Sequence, residues 1–307
     1  MFQTKKVAVT IAVVLLSVSA FAQKAITFST LDNPGDPTFN QLLGINNQGV
    51  ISGYFGSGQV GHPNIGYTIA APYTTFVPDQ LPGSLQTQPV GISGNGTTVG
   101  FWSPTNTGVS DATFGFIRQA NGFTYLSVNN PLGGVPQSNQ LLGINLSNVA
   151  VGSYVDNSGV LNGFAYSVKT GVYTPVTVAG ATSVAATGIN NENLVCGFFT
   201  TGGITEGFVQ PLGNTGVLTT FQVPGAVVTQ LLGISDTGLA VGFYQMSSGA
   251  FTHGLTYNSI NGEWTTVDDP SGVQGTVLNG VNDHGQGVGY YTDAAGNFHG
   301  MLANGLN

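Results

Sequence analysis

The stretch Gly280-Val281-Asn282-Asp283-His284-Gly285-Gln286-Gly287-Val288-Gly289-Tyr290-Tyr291 states a pattern that the chain carries six times. The pattern starts at Gly44, Gly91, Gly143, Gly188, Gly233 and Gly280. A second glycine follows nine residues later, at Gly53, Gly100, Gly152, Gly197, Gly242 and Gly289. Two positions beyond it stands an aromatic residue: Phe55, Trp102, Tyr154, Phe199, Tyr244 and Tyr291. Six copies without slippage in the spacing are the signature of a structural repeat.

Each copy reads as a β-hairpin. An apolar segment such as Gln41-Leu42-Leu43-Gly44-Ile45 leads into a turn, and a short aliphatic segment such as Val149-Ala150-Val151 leaves it. The turn opens on Asn46, Ser93, Asn145, Asn190, Ser235 or Asn282, whose side chains can accept a bond from the backbone two residues on. Three residues later comes Gly49, Gly96, Asn148, Asn193, Gly238 or Gly285, the residue types that enter the left-handed region at least cost. These six residues are therefore expected at positive φ.

A linker of variable length separates this hairpin from a third glycine, at Gly66, Gly115, Gly163, Gly207, Gly254 and Gly300. The intervals are 13, 15, 11, 10, 12 and 11 residues. A further turn and a Thr-rich strand follow, as in Leu218-Thr219-Thr220-Phe221 or Trp264-Thr265-Thr266-Val267, ending near Pro78, Pro224 or Pro270. Two hairpins per repeat give four strands. The expected fold is all-β, a six-bladed β-propeller with four antiparallel strands per blade. The last repeat has no Thr-rich strand after Met301, whereas Ala25–Asp32 looks like one. The N-terminal strand is thus expected to close the last blade.

Residues 1–22 lie outside this plan. Lys5 and Lys6, the apolar run Val7–Val18 and Ala20-Phe21-Ala22 form the n-region, h-region and small-x-small site of a secretory signal peptide. Residues 23–307 then form one domain of six repeats of about 47 residues, the length of a propeller blade. Export to the periplasm or the extracellular space is expected, without membrane insertion.

Charged residues make up 6% of the chain and hydrophobic ones 41%, with 47 glycines. That apolar content at regular spacing is too high for a disordered chain. With the leader removed, three basic residues (Lys24, Arg118, Lys169) face 13 acidic ones. Nucleic acid and anionic membrane both demand a Lys/Arg surface, so neither is an expected partner. A monomer is expected. Cys196, the sole cysteine, occupies the position of Val99, Val151, Val241 and Val288, which makes it a core residue.

The order Gly-Ile-Asn, turn, Val-Gly-x-aromatic, loop, His-Gly-hydrophobic, turn, Thr-Thr-x-Asp resembles the HAF repeat of extracellular bacterial proteins. His253-Gly254-Leu255 and His299-Gly300-Met301 are its closest copies of the name-giving His-Ala-Phe triplet, with Gly in place of Ala. Ile65, Phe114, Asn162 and Glu206 replace the His elsewhere. The resemblance spans residues 23–307 and implies secretion and a repeat fold, but no activity or ligand.

Candidate site residues are few. His253 and His299 occupy equivalent positions on neighbouring repeats and would share a ligand if both faced the axis. Asp32 and Asp36 sit in an oxygen-rich loop suited to calcium, the one cofactor the sequence suggests. Asp156, Asp268, Asp269 and Asp293 fall with Asp32, Asp36, Asp79 and Asp111 on the side of the variable loops. None of the basic residues joins them in the sequence pattern. Neither glycosidase carboxylate pairing nor a nucleophile elbow is evident. The first functional reading is a non-enzymatic scaffold that binds a glycan or a protein through its variable-loop face. The alternatives are a polysaccharide hydrolase or lyase acting in a central funnel, and a structural surface or matrix protein.

Overall fold

The computed structural model describes residues 25–108, 111–119, 125–128, 138–214 and 216–307. The expected signal peptide and most of the turn expected at 119–122 lie outside the described residues. The first strand is β1 (Thr27–Thr30). Repeat unit 1 comprises β2 (Asn40–Ile45), β3 (Ile51–Phe55), β4 (Ile65–Ile69) and β5 (Phe76–Pro78). Unit 2 comprises β6 (Gln86–Ile92), β7 (Thr98–Ser103), β8 (Phe114–Arg118) and β9 (Tyr125–Val128). Unit 3 comprises β10 (Asn139–Ile144), β11 (Val149–Val155), β12 (Leu161–Ser167) and β13 (Tyr173–Val176). Unit 4 comprises β14 (Ser183–Ile189), β15 (Leu194–Thr201), β16 (Ile204–Pro211) and β17 (Thr219–Phe221). Unit 5 comprises β18 (Val228–Ile234), β19 (Leu239–Gln245), β20 (His253–Asn258) and β21 (Trp264–Thr266). Unit 6 holds β22 (Gly275–Val281), β23 (Gln286–Thr292) and β24 (Phe298–Asn304). The one helical element among the described residues is a 3-10 turn at Leu212–Asn214.

Within each unit the strands pair antiparallel in chain order. A single parallel bridge, Thr205 to Val228, fuses units 4 and 5 into one eight-stranded sheet. Unit 6 takes its fourth strand from the N-terminus: β1 pairs antiparallel with β24, Thr27 opposite Asn304 and Thr30 opposite Met301. Otherwise β24 would present an open edge, a template for unwanted pairing.

The marker glycines have steric causes. All six first strands bulge at the same place, between Leu42 and Gly44, Pro89 and Gly91, Leu141 and Gly143, Ala186 and Gly188, Leu231 and Gly233, and Leu278 and Gly280. Beside the bulge, neighbouring units meet backbone to backbone. A Cβ on Gly91 would stand 2.8 Å from Gly143 Cα, one on Gly188 3.1 Å from Gly233 Cα, and one on Gly280 3.1 Å from Gly44 Cα. The second glycine sits opposite a carbonyl of the bulged strand. A Cβ on Gly152 would lie 1.9 Å from Gln140 O, and one on Gly242 1.8 Å from Gln230 O. The repeat spacing therefore records where only hydrogen fits.

The six turn residues take positive φ as expected: Gly49 74°, Gly96 82°, Asn148 55°, Asn193 58°, Gly238 80° and Gly285 67°. The core lies between units. Val151, Ala165 and Val176 of unit 3 pack on Ala186, Val195 and Phe208 of unit 4, and Leu42, Ile51 and Tyr67 of unit 1 pack on Val288 and Leu302 of unit 6. Burying each such Leu, Ile or Phe contributes roughly 1.5–3 kcal/mol. Cys196 is fully buried in this layer, and burial pushes its thiol up to about 12, so it remains an inert apolar side chain.

Candidate functional site at the loop end of the axis

The first strands β2, β6, β10, β14, β18 and β22 pack side by side around one line. Their alternation sorts residues: Leu42, Leu141, Leu231 and Leu278 point into the core, whereas Gln41, Gln88 and Gln140 and the bulged Leu43, Val90 and Leu142 line the cavity. Three stacked spaces follow that line. At the end carrying the Asn/Ser turns is a recess of about 160 Å³. A waist of about 70 Å³ follows, bounded by Ile45, Ile92, Ile144, Ile189 and Ile234. The third, at the end carrying the variable loops, is a cavity of about 330 Å³.

The 330 Å³ cavity is walled by Tyr54, Phe101 and Phe198, by Leu43, Leu142 and Leu232, and by the amides of Gln41, Gln88, Gln140 and Asn279. Among the described residues lining it, none is ionisable at neutral pH. Burial, and then the neighbouring Tyr290, push the Tyr54 phenol upward, so it stays neutral. Asn279 Nδ2 donates to Leu42 O at 2.9 Å, and Thr187 Oγ1 donates to Leu231 O at 2.7 Å. These bonds satisfy bulge carbonyls that the sheet leaves unpaired.

Beside it opens a lateral pocket of about 280 Å³ over units 1 and 2, sharing Tyr54, Gln88, Phe101 and Gln140 with the axial cavity. Its walls are two long connections. Residues 56–64 lie between β3 and β4, and residues 104–108 and 111–113 lie between β7 and β8. Asn106 stitches them together, accepting from Gly61 N at 3.1 Å and donating to Gln59 O at 3.2 Å. Asn64 and Gln86 are buried beneath and hold the floor. Asn64 Nδ2 donates to Gly56 O at 2.6 Å, Gln88 Nε2 to Asn64 Oδ1 at 2.5 Å, and Gln86 Nε2 to Asp111 Oδ2 at 3.0 Å. Bonds to the Asp111 carboxylate, led by that from the Thr107 hydroxyl, hold it below the usual range and therefore ionised.

No known protein family and no curated protein matches the sequence. Solved structures are similar in fold. TolB from Acinetobacter baumannii superposes with a TM-score of 0.53 at 10% identity, over 88% of this chain and 65% of the TolB chain. This chain thus spans about two-thirds of TolB's length. A mutant of AofleA from Arthrobotrys oligospora gives 0.53 at 10% identity, over 91% of this chain and 86% of its own. The protein has an all-β, β-propeller-like fold. Among the described residues, no helix is long and apolar enough to cross a membrane.

The residues singled out from the sequence lie elsewhere, and each is engaged within its own unit. His253 Nδ1 pairs with Asp268 Oδ2 at 2.8 Å, and its ring stacks on Tyr244 at 5.0–5.1 Å in the manner of His299 on Tyr291. His299 Nδ1 meets Asp32 Oδ2 at 2.7 Å and its Nε2 meets Asp293 Oδ2 at 3.2 Å. Among the described residues the two histidines bond to separate carboxylates, and neither lines the axial cavity. Asp156 and Asp293 each close a tight turn, accepting from Ser158 N and Val160 N and from Ala295 N and Asn297 N respectively. Those backbone donors lower both carboxyls, foremost Val160 N for Asp156 and Asn297 N for Asp293. Asp269 is buried and accepts from Ser271 N. Asp36 Oδ1 accepts from the amide and hydroxyl of Thr38, while Asp32 Oδ1 accepts from Gly300 N, so the two carboxylates face separate partners.

One expectation is corrected. Arg118 does join the acidic set: its Nε lies 2.8 Å from Asp79 Oδ1, and Asp79 is 1% exposed. Asp79 is thus half of a buried ion pair rather than part of a charged face. The aromatic set packs between units: Phe199 with units 3 and 4, Tyr244 with units 4 and 5, and Tyr291 with units 5 and 6, the two tyrosines also stacking on the histidines. Sequence reading missed the cavity residues, although a signal existed. Gln41, Gln88, Gln140 and Gln230 recur three positions before the marker glycine, and Tyr54, Phe101, Phe198, Phe243 and Tyr290 recur directly after the second one.

Proposed function

We propose that the protein is an exported, closed six-bladed β-propeller of the HAF-repeat type that binds a neutral glycan at the loop end of its axis without transforming it. Ring closure is supported by the β1–β24 pairing, by the bond from Asn282 Nδ2 to Asn46 O at 3.1 Å, and by the approach of Gly280 to Gly44. The observation that carries the ligand reading is the lining of the axial cavity: aromatic and aliphatic walls interrupted by four amide side chains, with no ionisable group at neutral pH among the described lining residues. Aromatic and aliphatic surfaces match the C–H faces of a pyranose. An amide offers a donor and an acceptor together, the pairing that neighbouring hydroxyl groups need. A charged ligand would be stripped of water there with no counter-charge. Hydrolysis of a glycosidic bond calls for two carboxyls flanking it, and this lining supplies none.

The test is calorimetric titration of the chain from residue 23 with neutral mono- and oligosaccharides. Saturable binding is expected, weakened at least about tenfold by Phe198→Ala, which removes a wall of the axial cavity alone. Unchanged affinity in that variant would overturn the site, and release of reducing ends from the same sugars would overturn the non-enzymatic reading.

A further inference from the structure

The lateral pocket differs from the rest of the loop end because two long connections of adjacent units build it jointly. Unit 4 joins the equivalent strands through Gly202-Gly203 alone, and unit 3 through the tight turn closed by Asp156. The pocket's polar groups are fixed before any ligand arrives. Gln86 is spanned between Asn64 N, Thr105 O and Asp111 Oδ2, and Asn64 in turn holds Gln88. With Nε2 of Gln88 committed to Asn64, its Oε1 is left as an acceptor without a hydrogen bond among the described residues. The Trp102 indole, set against Phe114 at 5.4 Å, supplies an apolar wall, and its Nε1 is covered, with no partner among the described residues.

We propose that this pocket is a second sugar subsite, so that the ligand is a neutral oligosaccharide of at least two residues, with one residue in the axial cavity and the next against Trp102. The inference rests on the glycan reading above and extends it. The shared residues Tyr54, Phe101, Gln88 and Gln140 form the junction, so a chain passing between the two spaces stays in contact with protein. Among the described residues Asp111 is the one charged residue lining the pocket. Ionised and already oriented by Thr107 and Gln86, it presents acceptor lone pairs to hydroxyl groups. An anionic sugar would be repelled by it.

The chain has only two tryptophans, Trp102 and Trp264, which permits a direct readout. Trp264 lies on the outer strand β21, away from both spaces, and in the Trp264→Phe variant Trp102 becomes the sole reporter. This protein would be titrated with linear neutral gluco-, manno-, xylo- and galacto-oligosaccharides of one to six residues, following indole emission and heat together. In one series, affinity should rise roughly tenfold or more, about 1.4 kcal/mol, from the mono- to the disaccharide. Emission should change only from the disaccharide onward. Trp102→Leu and Asp111→Asn, each checked by thermal melting, should erase that gain and leave monosaccharide binding in place. Phe198→Ala should instead weaken every length. Saccharide binding with the length gain intact in both lateral variants would overturn the subsite while the axial reading stands. Binding of no saccharide by the parent protein, or of Asn/Gln-rich neutral peptides in its place, would overturn both.

Discussion

At the turn end of the axis the units present Asn46, Ser93, Asn145, Asn190, Ser235 and Asn282 at one position, and the asparagines among them link unit to unit. Asn46 donates to Ser93 O, Asn145 to Asn190 O, Asn190 to Ser235 O and Asn282 to Asn46 O, all at 3.0–3.1 Å. Where serine stands, the side chain is too short to cross. Ser93 and Ser235 bond within their own turns, and the backbone of Asp236 reaches Asp283 Oδ1 instead, at 2.7 Å. At the loop end the same six units diverge, from the two-residue Gly202-Gly203 turn of unit 4 to the long connections that build the lateral pocket over units 1 and 2. Periodic positions hold the units together, and departures from the period shape the cavity. The comparison teaches that function here is sought where the repeat is broken.

The Arg118–Asp79 pair tests that rule hardest, because it is an aperiodic feature that serves stability. Arg118→Ala strands the Asp79 carboxylate, 1% exposed, without its counter-ion. Loss of one partner of a buried pair costs about 3–5 kcal/mol, and this is the largest of the effects expected here. Urea unfolding measures it, and adding Asp79→Asn to the same chain should restore a good part. A cost below about 1 kcal/mol would show the pair to be incidental. Next comes Asn190→Ala at the turn end. It removes bonds to Glu192 N at 3.1 Å, Leu194 N at 2.9 Å and Ser235 O at 3.0 Å. At about 1 kcal/mol net for each bond the loss is roughly 2–3 kcal/mol. Ser235→Ala, which cuts no link between units, should cost less than half of that. Equal costs would remove the distinction between linking and non-linking turns.

Much of the architecture was legible because its causes are local. A glycine opposite a bulge carbonyl, or an Asn at positive φ, follows from sterics within a few residues, and six repetitions make the pattern unmistakable. The role of Ala25–Asp32 could be read from its likeness to the Thr-rich strands, and β1 does pair with β24. The Arg118–Asp79 pair could not, since a residue just past β5 and one at the end of β8, 39 positions apart, carry no shared pattern. The lateral pocket was hidden for the same reason: Asn106 reaches Gly58 and Gln59 of another unit across a gap of about fifty residues. The acidic residues drew attention as loop charges, yet Asp156 and Asp293 serve chiefly to close their own turns.

A smaller effect should separate stability from binding at the loop end. Replacing residues 57–62 with Gly-Gly, which shortens this connection toward the short one of unit 4, removes one wall of the lateral pocket while leaving the strand pairing of β3 and β4 untouched. Loop closure entropy changes slowly with length, so unfolding free energy should move by under about 1 kcal/mol. The gain in affinity from mono- to disaccharide should vanish. A large stability loss without a change in binding would reverse the assignment of roles to the two ends.

The mildest prediction concerns pH and the seam that β1 seals. His299 lies between Asp32 and Asp293 and stacks on Tyr291 at 5.0 Å. Burial alone would lower its pKa, but the hydrogen bonds and charges of Asp32 and Asp293 outweigh burial and raise it above the model-compound 6.5. A group raised on folding contributes stability that is fully present below its unfolded pKa and is lost as pH rises through the folded one. The Asp293 carboxyl is depressed, with the Asn297 amide the leading cause, so its contribution is present above about 3.8 and fades as pH falls. The N-terminal strand should therefore be held best between these limits, in mildly acidic solution, and should loosen toward alkaline pH. Protection factors for the amides of Thr27–Thr30, compared between the parent and His299→Gln, isolate this term from every other titration in the molecule. Protection should decline across neutral pH in the parent and stay flat in the variant. Equal slopes in the two proteins would show that the seam is held by strand pairing alone, and that His299 belongs with the repeated residues rather than with the departures from the repeat.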